Sequence, residues 1–378
     1  MQQQSAIVIG AGIVGLAMAR ALSIKGYTVS VFDKSHAACG ASVRNFGMVW
    51  PIGQPAGALY NRAIRTRDIW KEIAAESTIW CKQTGSLHVA YNAEEWQVLQ
   101  ELEQQFNTEQ RNVLLLNAKK VLSQYPLVNK QNLLGGLFSA DELLVDPRQA
   151  IELLPEYLTK KYNVQFYWNK CVTQITESII TIGANEQHSA NIIVVCSGAD
   201  FETLYPELFA TLPITKCKLQ MQRTAAMPTN FTLNTAICGG LSLLHYSSFK
   251  DAPSLPLLQK KMQAEYSNYL ANGIHVMAAQ NNLNEITIGD THEYGTGFAP
   301  FDSMEMNKLV LDYLQLFLPI TQQYIAQTWY GIYPKLTNGE TELILSPQKN
   351  VFIVNGLGGA GMTLSFGLAE EIVATHLP

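Results

Sequence analysis

"SAIVIGAGIVGLAMARALSIKGYTVSVFDK", residues 5–34, reads as strand, glycine turn, helix and second strand. The opening run is short, apolar and β-rich, as a buried parallel strand should be. Apolar residues then recur at helical spacing as far as Gly26, a glycine suited to ending a helix. A second strand follows and ends in Asp33. Gly10, Gly12 and Gly15 stand in G-x-G-x-x-G order between the two strands. Gly10 permits the tight turn, Gly12 lets backbone approach a pyrophosphate, and Gly15 lets the helix pack on the strand. The helix start presents partial positive charge to the phosphates. Asp33, 23 residues after Gly10, is placed to take both hydroxyls of an adenosine ribose. Gly10, Ala11, Gly12, Ile13, Gly15, Asp33 and Lys34 are therefore the expected dinucleotide contacts. Spacing alone does not separate FAD from NAD.

The chain has 378 residues, 47% hydrophobic and 15% charged, with a net charge of −5. That suits a globular chain with a sizeable core, in one large domain or two ordinary ones. No basic tract occurs, so nucleic acid is not an expected partner. No apolar run reaches the ~18 residues of a membrane span. The first residues lack the positive segment of a secretory leader. A cytoplasmic protein with no membrane partner is the expectation. Six scattered cysteines without C-x-x-C spacing predict free thiols, a reducing compartment and no metal.

The segment "KSHAACGASVRNFGMVWPIGQ" (34–54) is not what a plain NAD domain places next. Its small residues suit close approach to a long, flat ligand. Here the chain resembles the D-amino-acid oxidase superfamily of flavoproteins, which includes glycine oxidase and monomeric sarcosine oxidase. The resemblance implies that Ala41, Ser42, Arg44, Asn45, Phe46, Gly47 and Met48 line the FAD. It extends in pieces over nearly the whole chain. "NVQFYWNKCVTQI" (163–175) alternates like a strand pair, with backbone near Val172 facing the adenine. "ANIIVVCSGAD" (190–200) reads as another buried parallel strand, with Ser197 and Gly198 near the FAD phosphates. Asp146-Pro147-Arg148 reads as a helix start.

From about 213 to 330, strand-like runs such as "GIHVMAAQ" and "NEITIGDTH" alternate with helical stretches around 255–270 and 303–318. The expected fold is therefore α/β. A Rossmann-like FAD-binding domain of residues 1–80, 146–211 and 331–378 would carry a discontinuous, antiparallel α+β substrate domain of residues 81–145 and 212–330. "TGSLHVA" (84–90) would be that domain's first strand.

A second glycine-rich stretch closes the chain: "NVFIVNGLGGAGMTLSFGLAEEIVATH" (350–376), a strand, a turn and a helix. Its strand would join the sheet begun at the N-terminus. Flavin reduction puts negative charge on the N1–C2=O edge of the ring, and backbone N–H groups with a helix dipole aimed there stabilise it. The first loop would hold phosphates and the last the redox ring, which favours FAD over NAD. The resemblance adds Gly358, Gly359, Gly361, Met362 and Thr363 to the FAD set. It also adds Gly331, at the position that carries the flavin-linking cysteine in sarcosine oxidase. Glycine there predicts non-covalent FAD.

Members of the superfamily oxidise a C–N bond by hydride transfer to flavin, and orientation matters more than acid–base groups. No catalytic triad is expected. Its amino-acid oxidases usually carry "G-x-R-P" before the final loop, with the arginine gripping the substrate carboxylate. This chain reads Gly331-Ile332-Tyr333-Pro334. The basic positions of sarcosine oxidase appear here as Trp50 and Thr363. The anion must then be held otherwise. The candidates are Tyr333, His245, Tyr246, His275, His292, Glu293, Trp50 and the cation Lys335, with Arg223 and Lys335 more at home on a surface. Arg62, Arg65 and Arg67 read as a solvated helix face. "GASVRNFGMVWPIGQ" together with "GIYPK" resembles a subgroup of these flavoproteins associated with aminophosphonate breakdown. The resemblance implies a small amine substrate, amino acid or aminophosphonate, with O2 as acceptor. A flavin dehydrogenase serving a quinone or carrier protein, and a non-catalytic FAD-binding subunit, are the alternatives.

Overall fold

Strand Ser5–Ile9 pairs in parallel with Thr28–Phe32 on one side and Ile192–Val195 on the other. The computed structural model describes residues 4–377. The sheet runs in the order 343–348, 351–355, 192–195, 5–9, 28–32, 165–167. The edge strand Leu343–Gln348 is antiparallel to its neighbour, and the other pairings are parallel. The C-terminal strand Val351–Asn355 thus joins the sheet begun at the N-terminus.

Alternation along a strand decides what each face covers. Ala6 and Val8 pack against helices Ile13–Lys25, Ala58–Glu76, Pro147–Tyr162 and Gly361–Thr375. Ile7 and Ile9 face the other way, onto Val172, Ile180 and Ile182 of a three-stranded antiparallel sheet. Helix Ile13–Lys25 ends at Gly26, whose φ of 103° is open to glycine. Asp146 caps the helix that starts at Pro147 by accepting from Arg148 N at 3.0 Å.

A second, nine-stranded sheet is mixed and mostly antiparallel. Its longest pair is Ile214–Thr224 with Ile325–Leu336, and the second of these runs through position 331. Ser86–Ala90, within the stretch read as the first strand of this part, pairs in parallel with Ala236–Cys238. Its core meets helices Ala93–Thr108, Leu255–Glu265 and Met304–Phe317. The other edge of Ile214–Thr224 is shared by two short strands, Ile286–Gly289 and Glu293–Gly295. The ladder is interrupted between them, at residues 290–292.

Two sequence expectations are corrected. Residues 163–175 are not one strand pair. Gln165–Tyr167 extends the parallel sheet, while Val172–Thr176 belongs to the antiparallel layer. Asn169 turns the chain between them with φ 57°. The arginines of helix Ala58–Glu76 do not form one solvated face either. Arg62 is buried between Glu342, at 2.9 Å, and Glu371, at 2.7 Å. Arg67 is mostly covered and pairs with Asp141, while Arg65 stays exposed. The C-terminal helix lies across this face and supplies Glu370 and Glu371. All six cysteines are free. Among the described residues no helix is long and apolar enough to cross a membrane.

Glu142 ties the parts together. Its buried carboxyl accepts from Ile52 N at 2.9 Å and from the Ser86 hydroxyl at 3.1 Å. Burial pushes it up to about 7. A carboxyl raised on folding contributes stability that is full below its ordinary range and lost as pH rises through about 7. Burial also pushes Glu95 up to about 7, so it acts in the same sense. The protein should lose stability from pH 5 to pH 8. Glu142→Gln should flatten that loss by on the order of 1–3 kcal/mol, read as urea midpoints at the two pH values.

Candidate active site

The glycine turn is held by contacts that leave no room for a side chain. A Cβ on Gly10, which has φ +104°, would lie 2.3 Å from Cys196 O, and one on Gly15 would lie 1.8 Å from Gly10 O. Asp33 Oδ2 accepts from Ala11 N at 2.8 Å, and Ser42 Oγ accepts from Ile13 N at 2.9 Å. Gly12 at the N-cap has no side chain to cap the helix, so beyond Ile13 its first turn keeps N–H groups for an anion. Lys34 pairs with Asp200. Lys170 N bonds Asp33 O at 2.9 Å, which brings buried Val172 near the same end. Gly198 takes φ +58°, and its carbonyl accepts from Asn355 Nδ2 at 2.9 Å.

The 41–48 loop is braced by its own asparagine. Asn45 Nδ2 donates to Ala41 O at 3.0 Å and Ser42 O at 2.8 Å, and its Oδ1 accepts from Gly47 N at 2.7 Å. A Cβ on Gly47, φ +75°, would lie 1.9 Å from Val145 O. Met48 continues into a short strand paired with Leu144. Arg44 fastens the loop to the long strand: its Nη1 donates to Tyr330 O, and its carbonyl accepts from Trp329 Nε1, each at 3.3 Å. Phe46 packs with Leu219, Met221 and Tyr333.

Alternation on strand Ile325–Leu336 puts Gly331, Tyr333 and Lys335 on one face. A Cβ on Gly331 would lie 3.2 Å from Arg44 O, one on Gly358 3.7 Å from Lys335 Cδ, and one on Gly359 3.7 Å from the Tyr333 hydroxyl. The final glycine turn therefore sits over this face. The helix Gly361–Thr375 starts there, also without a side-chain cap. Thr363 and Met362 are buried in support: Thr363 Oγ1 accepts from Trp50 N at 3.0 Å, and Met362 O accepts from Trp70 Nε1 at 3.1 Å. A cavity of about 310 Å³ lined by Lys216, Phe298, Tyr330 and Ile332 lies on the opposite face of the same strand.

Three histidines from separate segments meet beyond Tyr333. His245 follows a 3-10 turn, His275 precedes strand Met277–Gln280, and His292 sits in the interrupted ladder. Ring centroids are 3.8 Å apart for His245–His275, 5.1 Å for His275–His292 and 5.0 Å for His245–His292. His275 and Asp290 are buried, with His275 Nε2 3.2 Å from Asp290 Oδ1. Burial pushes the Asp290 carboxyl up to about 6. Burial, then the neighbouring histidines and Lys335, holds His275 well below the usual imidazole range. His245 is lowered likewise by burial, His292 and Lys335. Yet His245 as a residue is exposed. A crowded ring that still reaches solvent lines a recess. Tyr246 and Trp50 continue the wall, with centroids 6.3 Å apart, and the Trp50 Nε1–H is buried without a partner.

The structure thus brings the anion candidates Tyr333, Lys335, His245, Tyr246 and His275 to one region, with His292. Lys335 is half-buried on the site side rather than on an open surface. Arg223 and Glu293 lie elsewhere: Arg223 bonds Gln327 and approaches Glu285, and Glu293 is exposed. Asp290 was missed. Its only signal was an acid two residues before His292 in "GDTH".

A model of the DAO family, described as FAD dependent oxidoreductase, matches residues 5–375. The chain belongs to this family. Glycine oxidase from Geobacillus kaustophilus superposes with TM-score 0.78 at 19% identity, covering 99% of this chain and 94% of that one. L-proline dehydrogenase from P. horikoshii gives 0.78 at 18%, covering 100% and 95%. Iminodiacetate oxidase from Chelativorans sp. BNC1 gives 0.74 at 18%, covering 99% and 96%. A comparison with curated protein sequences gives no match.

The residues present fit FAD. The first turn and Gly47 leave no room for a Cβ, two helices open on N-cap residues that make no side-chain cap, and the Asp33 carboxylate stands where the first strand pair ends. Gly15→Ala should purify with less than about a tenth of the flavin of the parent, because an added Cβ collides with the turn backbone. The flavin-to-protein absorbance ratio reads this. With no side chain at Gly331, acid precipitation should leave the flavin in the supernatant.

Proposed function

We propose that this protein oxidises the C–N bond of a small primary or N-methylated amine that carries an anionic group, with O2 as electron acceptor, giving imine and hydrogen peroxide. Amino acids and aminophosphonates such as N-methyl-2-aminoethylphosphonate are the substrate class. The observation that carries this reading is the replacement of one arginine by a group of residues. Tyrosine stands at 333, and Lys335 and the histidine cluster lie beside it. A planar carboxylate is matched by one bidentate arginine. Several separate polar groups instead suit a larger or tetrahedral anion. Residues 1–80, 146–211 and 331–378 would hold the cofactor, and residues 81–145 and 212–330 would cover the substrate.

FAD, when bound, supplies the two-electron acceptor. The protein's own residues bind, orient and exclude water. Lys335 supplies a cation on the face of strand Ile325–Leu336 that carries Tyr333. Tyr333 is 6% exposed, and burial holds its hydroxyl protonated, so it is a hydrogen-bond donor. Trp50 and Tyr246 wall off solvent on the opposite side. The uncapped start of helix Gly361–Thr375 directs N–H groups to where charge develops.

Anaerobic mixing with glycine, sarcosine, D-alanine, 2-aminoethylphosphonate and its N-methyl derivative tests the reading. Rapid bleaching of the flavin's visible absorbance by an anionic amine, with peroxide formed on admitting air, is expected. No bleaching by any of the five would overturn it. Lys335→Met should raise KM for the bleaching amine about 10- to 100-fold, the loss of one charge-assisted contact, with a smaller effect on kcat.

A further inference from the structure

We propose that His245, His275 and His292 form a binding site for a divalent transition metal of the zinc class. One ligand atom from each histidine lies within 4.8 Å of the other two. Bonds of about 2.0–2.1 Å from zinc to imidazole nitrogen require the rings to close inward by less than ~1 Å. His245 is exposed and the other two are buried, which leaves one open side for entry.

Two details beyond proximity point to a metal. First, His275 is 4% exposed, and its Nδ1 has no hydrogen-bond partner. A buried polar group without a partner is costly unless something fills the vacancy. Second, the outer contacts are those that orient metal-bound imidazoles. His292 Nδ1 meets the Gly273 carbonyl at 2.8 Å, which makes Nδ1 the donor and leaves Nε2 as a ligand. His275 Nε2 faces the Asp290 carboxylate at 3.2 Å, which leaves Nδ1. Carbonyl and carboxylate partners of this kind fix the tautomer and aim the ring. The sequence carries no spacing signal for this site, because its ligands come from three distant segments. A metal was not expected from it.

Three protein nitrogens leave an open coordination position. It faces the recess shared with Lys335 and Tyr333, where it would take an oxygen of the substrate anion. This last role alone rests on the amine-oxidase reading.

The flavin-loaded protein would be dialysed against Zn2+, then against metal-free buffer, and analysed for metal by mass spectrometry. About one zinc per chain is expected. His275→Ala and, at the exposed position, His245→Ala should each lower retained zinc at least tenfold, with flavin content near that of the parent as the check on folding. Zinc absent from the parent, or retained equally by both variants, would overturn the site. In that case, fast bleaching by an amine would still support the amine-oxidase reading, with the histidines contacting the anion directly. Zinc retained by the parent and lost by the variants, with no amine bleaching the flavin, would sustain the site and remove only the substrate reading.

Discussion

Backbone packed on backbone at the first turn is the constraint on which the rest of this structure depends. Gly10, Gly15 and Cys196 approach so closely that a methyl group at either glycine would overlap a carbonyl. That contact brings the helix Ile13–Lys25 onto the strand it follows and fixes where Ile192–Val195 lies beside it. The uncapped helix start and Asp33 then share one edge of the sheet. Strand Val351–Asn355 adds to the same sheet beyond Ile192–Val195, so the last glycine turn emerges at that edge too. Two loops almost a whole chain apart in sequence thereby open at one edge of the sheet, where a single ligand could reach both.

The second consequence is a division of labour between the two helix starts. The first would face phosphates, whose charge is permanent. The second stands over Gly331 and Tyr333, where a bound flavin would gain charge only on reduction. Arg44 couples them, because its backbone touches Gly331 while its loop supplies Ser42 to the first turn. A displacement of the 41–48 loop would disturb both turns at once. Asn45 restrains it with three hydrogen bonds.

Much of this was legible in the sequence, wherever a local rule ties residue type to geometry. The glycine spacing, the period-2 apolar strands and the Asp33 terminus identify the first βαβ unit without any tertiary information. The same holds for the final strand, turn and helix. Arg62 was misjudged because helical periodicity says which residues share a face, not what is laid across it. Here the C-terminal helix covers that face with acids. The strand pair expected at 163–175 failed for a related reason: the left-handed turn at Asn169 passes the chain between sheets. At the substrate end, His245, His275 and His292 were visible only as isolated candidates. Their meeting depends on an interrupted ladder and a 3-10 turn, which no local pattern announces. Asp290 shows the limit most clearly, since only its neighbour in space gives it meaning.

The central claim is that the two glycine turns grip opposite ends of a single FAD, with the redox ring over Gly331 and Tyr333. A crystal structure of the flavin-loaded protein tests it most directly. The account predicts the adenosine ribose on Asp33 and the pyrophosphate at the Gly10–Ile13 turn. It predicts the ring edge against the backbone of residues 358–363, with its open face toward the histidine cluster. A flavin whose ring left the 358–363 turn, or whose open face turned away from the histidines, would contradict it.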